Sequence, residues 1–283
     1  MLRLFIASTL LLSGFAVAAP EPLTPGSTDI EIARHMLAHE AAQTMSRELG
    51  TVFPDLSRDR AYRIQQLRMA LQAEEHRQVG WKLGWPRSDE GEPLDPVVGH
   101  YLTNRVFQEG EPISTRHFTE GTARAEPEIV IVLAEDLRGP VVTRSQVEAA
   151  IESVSVGLEF VNWRVSEPRE RTHAVVDNAI AAGAMLTTGQ RFSLEDVDFS
   201  REIGSVSING GPANSGPATV IFGEDPVSAV HWAANELIRH GMYMKAGDFI
   251  FTGSVCTPLT VVAGDTATVS FTSLGSITAK FVD

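Results

Sequence analysis

An α+β fold, helical towards its N-terminal side and strand-rich in its second half, is what this sequence predicts, and three observations predict it. Apolar residues recur at helical spacing between residues 29 and 76. Two nearly charge-free runs rich in β-branched residues, Glu128–Leu133 and Val154–Val161, have the composition of strands buried on both faces. The last 35 or so residues break into short segments at Ala263-Gly264-Asp265 and Leu274-Gly275, the pattern of an antiparallel meander. Strict βαβ alternation does not join these pieces, so a doubly wound sheet is not expected.

The chain opens with Arg3 and then a charge-free, mostly apolar run from Leu4 to Val17 that leads into Ala16-Val17-Ala18. This is the pattern of a signal peptide over residues 1–18, and the run is too short for a stable membrane anchor. An uncut N-terminal tether is the alternative, since the first segment carries a single charge. Either way the remainder is expected to be exported, periplasmic or secreted, with no stable membrane insertion after cleavage. Residues 19–79 then read as a Pro-rich linker and a helical appendage. One helix is expected over 29–49, with Ile30, Ile32, Met36, Leu37, Ala41, Met45 and Leu49 on its apolar side. A second is expected from Asp59 to His76, with Ala61, Ile64, Leu67 and Leu71 along one face.

From residue 80 to 283 the sequence predicts the main β domain. Glycines and prolines between Gly80 and Gly99 suggest a short strand at 80–84 followed by a long loop. Thr143 and Gln146 form a capping-box pattern that starts a helix running to about Val154. Asp225-Pro226 supplies an N-cap and a first-turn proline for a helix that Gly241 ends. Strands are expected near 248–252, 259–262, 266–272 and 275–282.

Composition narrows the function. The formal net charge is −13, which argues against a nucleic-acid partner. With 43% hydrophobic residues the chain has ample material for a core. Cys256 is the single cysteine, so no internal disulfide braces the protein, and it reads as a buried strand-end residue in preference to a catalytic thiol.

Candidate chemistry centres on Arg124-Ala125-Glu126-Pro127-Glu128. In an extended chain the two glutamates share a face, about 6–7 Å apart along the strand. Pro127 cannot donate to a ladder, which places the pair at an edge or strand start. Glu159, a lone acid within an apolar run, would be costly to bury without a partner, and a cation is one such partner. Three carboxylates with water form the oxygen-rich set that Mg²⁺ or Mn²⁺ prefers. By itself the Glu-x-Glu pair also fits exposed alternating acids. Lys82, flanked by Gly80 and Gly84, can bind a substrate carboxylate or, desolvated beside a cation, serve as a base with a lowered pKa. Thr252-Gly253-Ser254 closes a strand where backbone N–H groups can hold an oxyanion, or forms a plain turn. His231 reads as structural, whereas His100 and His173 fall in polar, loop-like stretches where a pocket role is open.

In order, Ala61-Tyr62-Arg63-Ile64-Gln65-Gln66, Gly80-Trp81-Lys82-Leu83-Gly84, Glu126-Pro127-Glu128-Ile129-Val130, Gly157-Leu158-Glu159, Asp177-Asn178-Ala179 and Gly247-Asp248-Phe249-Ile250-Phe251-Thr252-Gly253-Ser254 resemble the 2-keto-4-pentenoate hydratase branch of the fumarylacetoacetate hydrolase superfamily. The resemblance spans about residues 55–282. It implies a mixed β-sandwich roll, a divalent cation held by Glu126, Glu128 and Glu159, Lys82 in the pocket, a small 2-oxo acid substrate and a homo-oligomer. The activity it implies is addition of water to a 2-hydroxy-2,4-dienoate, with 2-oxo acid decarboxylation, C–C hydrolysis and non-catalytic binding as alternatives. Hydrolase members activate water with a histidine–glutamate pair that has no aligned counterpart here, which leaves hydration or decarboxylation in front. Pro96-Val97-Val98-Gly99 and Ile180 depart from the family pattern, as does the export signal.

Overall fold

A computed structural model describes residues 20–87 and 93–283; the segment read as a signal peptide and part of the 85–96 loop lie outside them. Helix α1 spans Asp29–Ala42, where Thr28 and Glu31 cap each other's backbone N–H groups. It stops earlier than the apolar spacing suggests. Gln43 adopts a left-handed φ of 57°, and its N–H turns back to the carbonyls of Glu40 and His39. Leu49 belongs instead to a separate short helix, α2 (Leu49–Val52). Helix α3 covers Arg58–Gln72, capped by Ser57. No helix of the described residues is long and apolar enough to cross a membrane.

Strand β1 (Gln78–Gly84) enters the main sheet. The expected long loop from 86 to 100 is corrected by strand β2 (Val97–Leu102), which is buried on both faces and pairs antiparallel with β1. Proline and glycine hid it in the sequence. Gly99 is needed there because a Cβ would lie 2.5 Å from the Asn178 carbonyl oxygen. After β3 (Val106–Gln108) and β4 (Ile113–Ser114), strand β5 runs from Ala123 to Leu133. Helix α4 (Arg144–Ala150) has the expected Thr143 capping box but ends four residues early, because the β-branched run from Ile151 to Val161 is already strand β6. Helix α5 (Arg171–Val176), β7 (Ala181–Leu186), β8 (Ile203–Ile208) and β9 (Asn214–Pro217) follow. Helix α6 (Pro226–Arg239) has the predicted Asp225 cap, and β10 (Phe249–Phe251), β11 (Leu259–Val261), β12 (Thr266–Phe271) and β13 (Gly275–Val282) complete the chain.

The strands form a mixed eight-stranded sheet, ordered β2-β1-β10-β5-β6-β7-β3 with β11 also on β5, and a five-stranded sheet, β4-β13-β12-β8-β9. Strands β8, β12 and β13 of the second sheet pack on β5 and β6 of the first, which gives the expected β-roll. Parallel pairing of β1 with β10 brings Lys82 opposite Phe251.

Buried polar contacts fasten the appendage to the roll. The Gln65 amide donates to the carbonyls of Val98 (2.8 Å) and Val175 (3.0 Å). Arg68 pairs with Glu40 at 2.8 Å and lies 3.9 Å from Asp177. Asp177 is fully buried and is held by the Arg164 guanidinium (2.6 Å) and the Arg164 backbone N–H (2.8 Å). Arg164→Leu would leave that carboxylate without its main partner, so urea unfolding should show a loss of about 3–5 kcal/mol; a change below 1 kcal/mol would contradict this view of the junction.

Candidate metal centre and active site

The register of β5 against β6 builds the site. Glu126 faces Glu159 directly and Glu128 faces Gly157, so all three glutamates project from one side of the sheet. A side chain at position 157 would collide with Val130 and the Phe251 ring, at 2.3 and 2.7 Å. One carboxylate oxygen from each of Glu126, Glu128 and Glu159 lies within 4.8 Å of the others. Glu128 and Glu159 are fully buried, and Glu126 is partly open to the cavity.

Neighbouring groups satisfy the outer oxygens and leave inner ones bare. Gly253 N–H donates to Glu128 Oε2 at 2.6 Å, and the Tyr101 hydroxyl donates to Glu159 Oε1. Lys82 Nζ is 3.1 Å from Glu159 Oε2 and donates to the Ala179 carbonyl, also at 3.1 Å. Glu128 Oε1 is buried without a hydrogen-bond partner.

Electrostatics report the same deficit. Burial, then the charge of Glu159, pushes Glu126 up to about 8 and Glu128 well above the ordinary carboxylate range. Burial acts to lower Lys82, but Glu159 and the other two glutamates outweigh it and hold the amine above its usual value. The lowered pKa that would suit Lys82 as a base is therefore not found here. Fully ionised, three carboxylates beside one ammonium would carry two uncompensated negative charges, so in the metal-free protein protons take the place that a single divalent cation would fill. With oxygen donors only and one orphaned buried oxygen, the residues fit a hard cation such as Mg²⁺, Mn²⁺ or Ca²⁺.

A cavity of about 660 Å³ opens onto this centre, lined by Lys82, Trp85, Glu126 and Phe222, with Arg87 and Arg124 among its cationic groups. Ser254 also lines it. Its neighbours in the sequence do not: Gly253 backs Glu128, and the fully buried Thr252 gives its hydroxyl to the Ile129 carbonyl at 2.9 Å. Thr252 thus ties β10 to β5 and is placed to support the site from behind.

Sequence reasoning missed Tyr101 and the Ala179 carbonyl. Tyr101 lay just past the expected 86–100 loop in a stretch assigned no element, although Val97-Val98-Gly99-His100-Tyr101-Leu102 has the apolar content of a buried strand. Ala179 lies in a turn where Asn178, Ala179 and Ile180 all take positive φ, at 56°, 51° and 56°. Three non-glycine residues in this region are costly and persist only where surroundings over-determine them. Here the Asn178 amide pairs with both the N–H and the C=O of His100, at 2.8 and 2.9 Å.

The histidines are corrected. His100 lies in β2 opposite Trp81, on the face away from Lys82, and burial followed by the charge of Arg68 lowers it to about 3. It therefore does not supply a water-activating group at the glutamates. His173 is in α5 and not in a loop; its Nδ1 accepts the Glu170 N–H (2.7 Å) and its Nε2 meets the Phe53 carbonyl (2.9 Å). Both are structural. His231 contacts the Val142 carbonyl, a structural role as expected. Cys256 is buried, and burial raises its thiol to about 11, far from a reactive thiolate.

A rolled mixed sheet carrying a clustered carboxylate triad beside a buried lysine defines the class: a metal-site β-roll protein. The chain belongs to the fumarylacetoacetate (FAA) hydrolase C-terminal family, whose model matches residues 69–282. It is 29% identical over 234 residues to 2-hydroxyhexa-2,4-dienoate hydratase of Comamonas testosteroni, covering 81% of this chain and 88% of that one. It is 28% identical over 261 residues to 4-oxalocrotonate decarboxylase of Pseudomonas putida, covering 89% and 96%. Among solved structures, 4-oxalocrotonate decarboxylase from Pseudomonas putida G7, complexed with magnesium and adipate, superposes with a TM-score of 0.82 at 26% identity, over 90% of this chain and 97% of that one. Its relatives thus include both hydratases and decarboxylases.

Proposed function

We propose that this protein is an exported lyase that uses a divalent cation, held by Glu126, Glu128 and Glu159, to add water to a 2-hydroxy-2,4-dienoate. The observation that carries the reading is the clustered carboxylate triad, whose member Glu126 lines one cavity together with Lys82. A relative named as a dienoate hydratase and a decarboxylase solved in complex with magnesium support it. When bound, the cation supplies Lewis-acid stabilisation of the negative charge that develops on the C2 oxygen of a 2-oxo acid.

The protein's own groups do the rest. Lys82, fixed between Glu159 and the Ala179 carbonyl, presents an ammonium to the substrate carboxylate or C2 oxygen and can return a proton there. The Tyr101 hydroxyl restrains Glu159, and Gly253 N–H restrains Glu128, so neither carboxylate must reorganise during turnover. In the balanced reaction the 2-hydroxyl proton leaves and a proton is gained at C5, giving a conjugated enone. Water then delivers hydroxyl to C4 and a proton to C3, and the product is a 4-hydroxy-2-oxo acid. Ser254, on the cavity wall, is placed to hold the incoming water or a distal oxygen.

Arg87 and Arg124 favour a second reading. Two guanidinium groups in the wall of one cavity suit a dicarboxylic 2-oxo acid, whose decarboxylation would need the same enolate stabilisation. Proton NMR of reactions with 2-hydroxypenta-2,4-dienoate and with a 2-oxohexenedioate separates the two. A new C4 carbinol signal from the dienoate supports hydration; loss of CO₂ from the diacid alone moves the assignment to decarboxylation; metal-dependent conversion of neither rejects both. Lys82→Met should lower kcat about 10²–10⁴-fold while Mn²⁺ still binds, measured by steady-state kinetics and a metal titration.

A further inference from the structure

We propose that His35, His39 and Glu48 form a second metal site, for zinc or a similar nitrogen-preferring transition ion, that staples the N-terminal appendage. His35 and His39 are one turn apart on α1 and so share a face. Left-handed Gln43 reverses the chain and brings Glu48 back beside them. One ligand atom from each of the three lies within 4.8 Å of the others, well removed in the sequence from the glutamates of the active site. The two imidazoles meet edge to face with ring centres 4.5 Å apart.

Hydrogen bonding around the rings prepares them as ligands. His35 Nδ1 lies 2.7 Å from the Glu21 carbonyl, which can only accept, so the proton sits on Nδ1 and Nε2 offers its lone pair. That Nε2 is 3.6 Å from Glu48 Oε2, close to the roughly 3.4 Å between ligands of a tetrahedral zinc ion with bonds of about 2.0–2.1 Å. His39 is held through Nδ1 to Thr44 Oγ1 (2.9 Å), and its Nε2 has no hydrogen-bond partner among the described residues. Ser46 Oγ now bonds His35 Nε2 at 2.7 Å and accepts the Leu49 N–H; on binding it gives up the first contact and retains the second.

Two imidazoles and one carboxylate, with water in the fourth position, are a nitrogen-rich tetrahedral set that the all-oxygen triad does not offer. A metal here would clamp Glu21, α1 and the 43–48 turn together. Ser46 in that turn donates its N–H to the Arg164 carbonyl at 2.7 Å, so the clamp would reach the roll.

The test uses the mature chain with Glu126→Gln and Glu128→Gln, which disables the triad. This protein should keep one tightly bound Zn²⁺ in competition with a chromophoric chelator and should give the intense visible absorption of tetrahedral Co²⁺. Adding Glu48→Gln, a half-exposed position that should fold normally, should weaken Zn²⁺ at least tenfold and abolish the Co²⁺ signal; His39→Asn should do the same. A natively folded triad variant that retains no Zn²⁺, or equal retention with and without Glu48→Gln, would overturn the proposal.

Discussion

Glu128→Gln should cut turnover about a thousandfold while raising the melting temperature of the metal-free protein. A factor of 10³ corresponds to about 4 kcal/mol, the scale on which a Lewis acid stabilises developing charge. Glutamine keeps an oxygen to accept the Gly253 N–H, so the strand end should stay in place. It removes a buried carboxylate whose other oxygen has no partner, which is why the apo protein should gain stability. Steady-state kinetics and thermal unfolding in chelator check the two halves. Full activity in this variant would remove Glu128 from the site, and an apo melting temperature lower than wild type would show that the carboxylate is not strained.

Chelation should make stability depend on pH with a definite sign. The folded apo protein holds Glu126 at about 8 and Glu128 well above the ordinary carboxylate value of 4.5. Between about pH 4.5 and 8 the folded state therefore binds more protons than the unfolded chain. Stability then falls as pH rises through that window. A divalent cation binds the ionised carboxylates and reverses the loss, so the difference in melting temperature between Mg²⁺-loaded and chelated protein should be small at pH 5 and several degrees at pH 8. A difference that is flat across this range, or that shrinks as pH rises, would contradict the assignment of these groups.

The parts of the site legible in the sequence are those that depend on local period and composition. Glu126 and Glu128 share a face because strands repeat every two residues, and Glu159 stands out as a single acid in an apolar strand. Lys82 could be singled out between two glycines. The place of Thr252 behind the site could not be read, because only the pairing of β10 with β5 decides that its hydroxyl goes to Ile129. Tyr101 and the Ala179 carbonyl were hidden for the same reason: strand pairing and a buried ion network, both long-range, place them. In the fold, the end of α1 at Gln43 was illegible because a left-handed glutamine has no signature like that of glycine.

The account is tested most directly by titrating Mn²⁺ into the chelator-treated protein and into its Glu126→Gln/Glu128→Gln variant, following free and bound ion by electron paramagnetic resonance with and without oxalate, a stable mimic of a 2-oxo acid enolate. The account predicts one six-coordinate, oxygen-ligated Mn²⁺ in the wild type, tightened by oxalate and absent in the variant. Equal Mn²⁺ binding by both proteins, or a bound ion indifferent to oxalate, would contradict it.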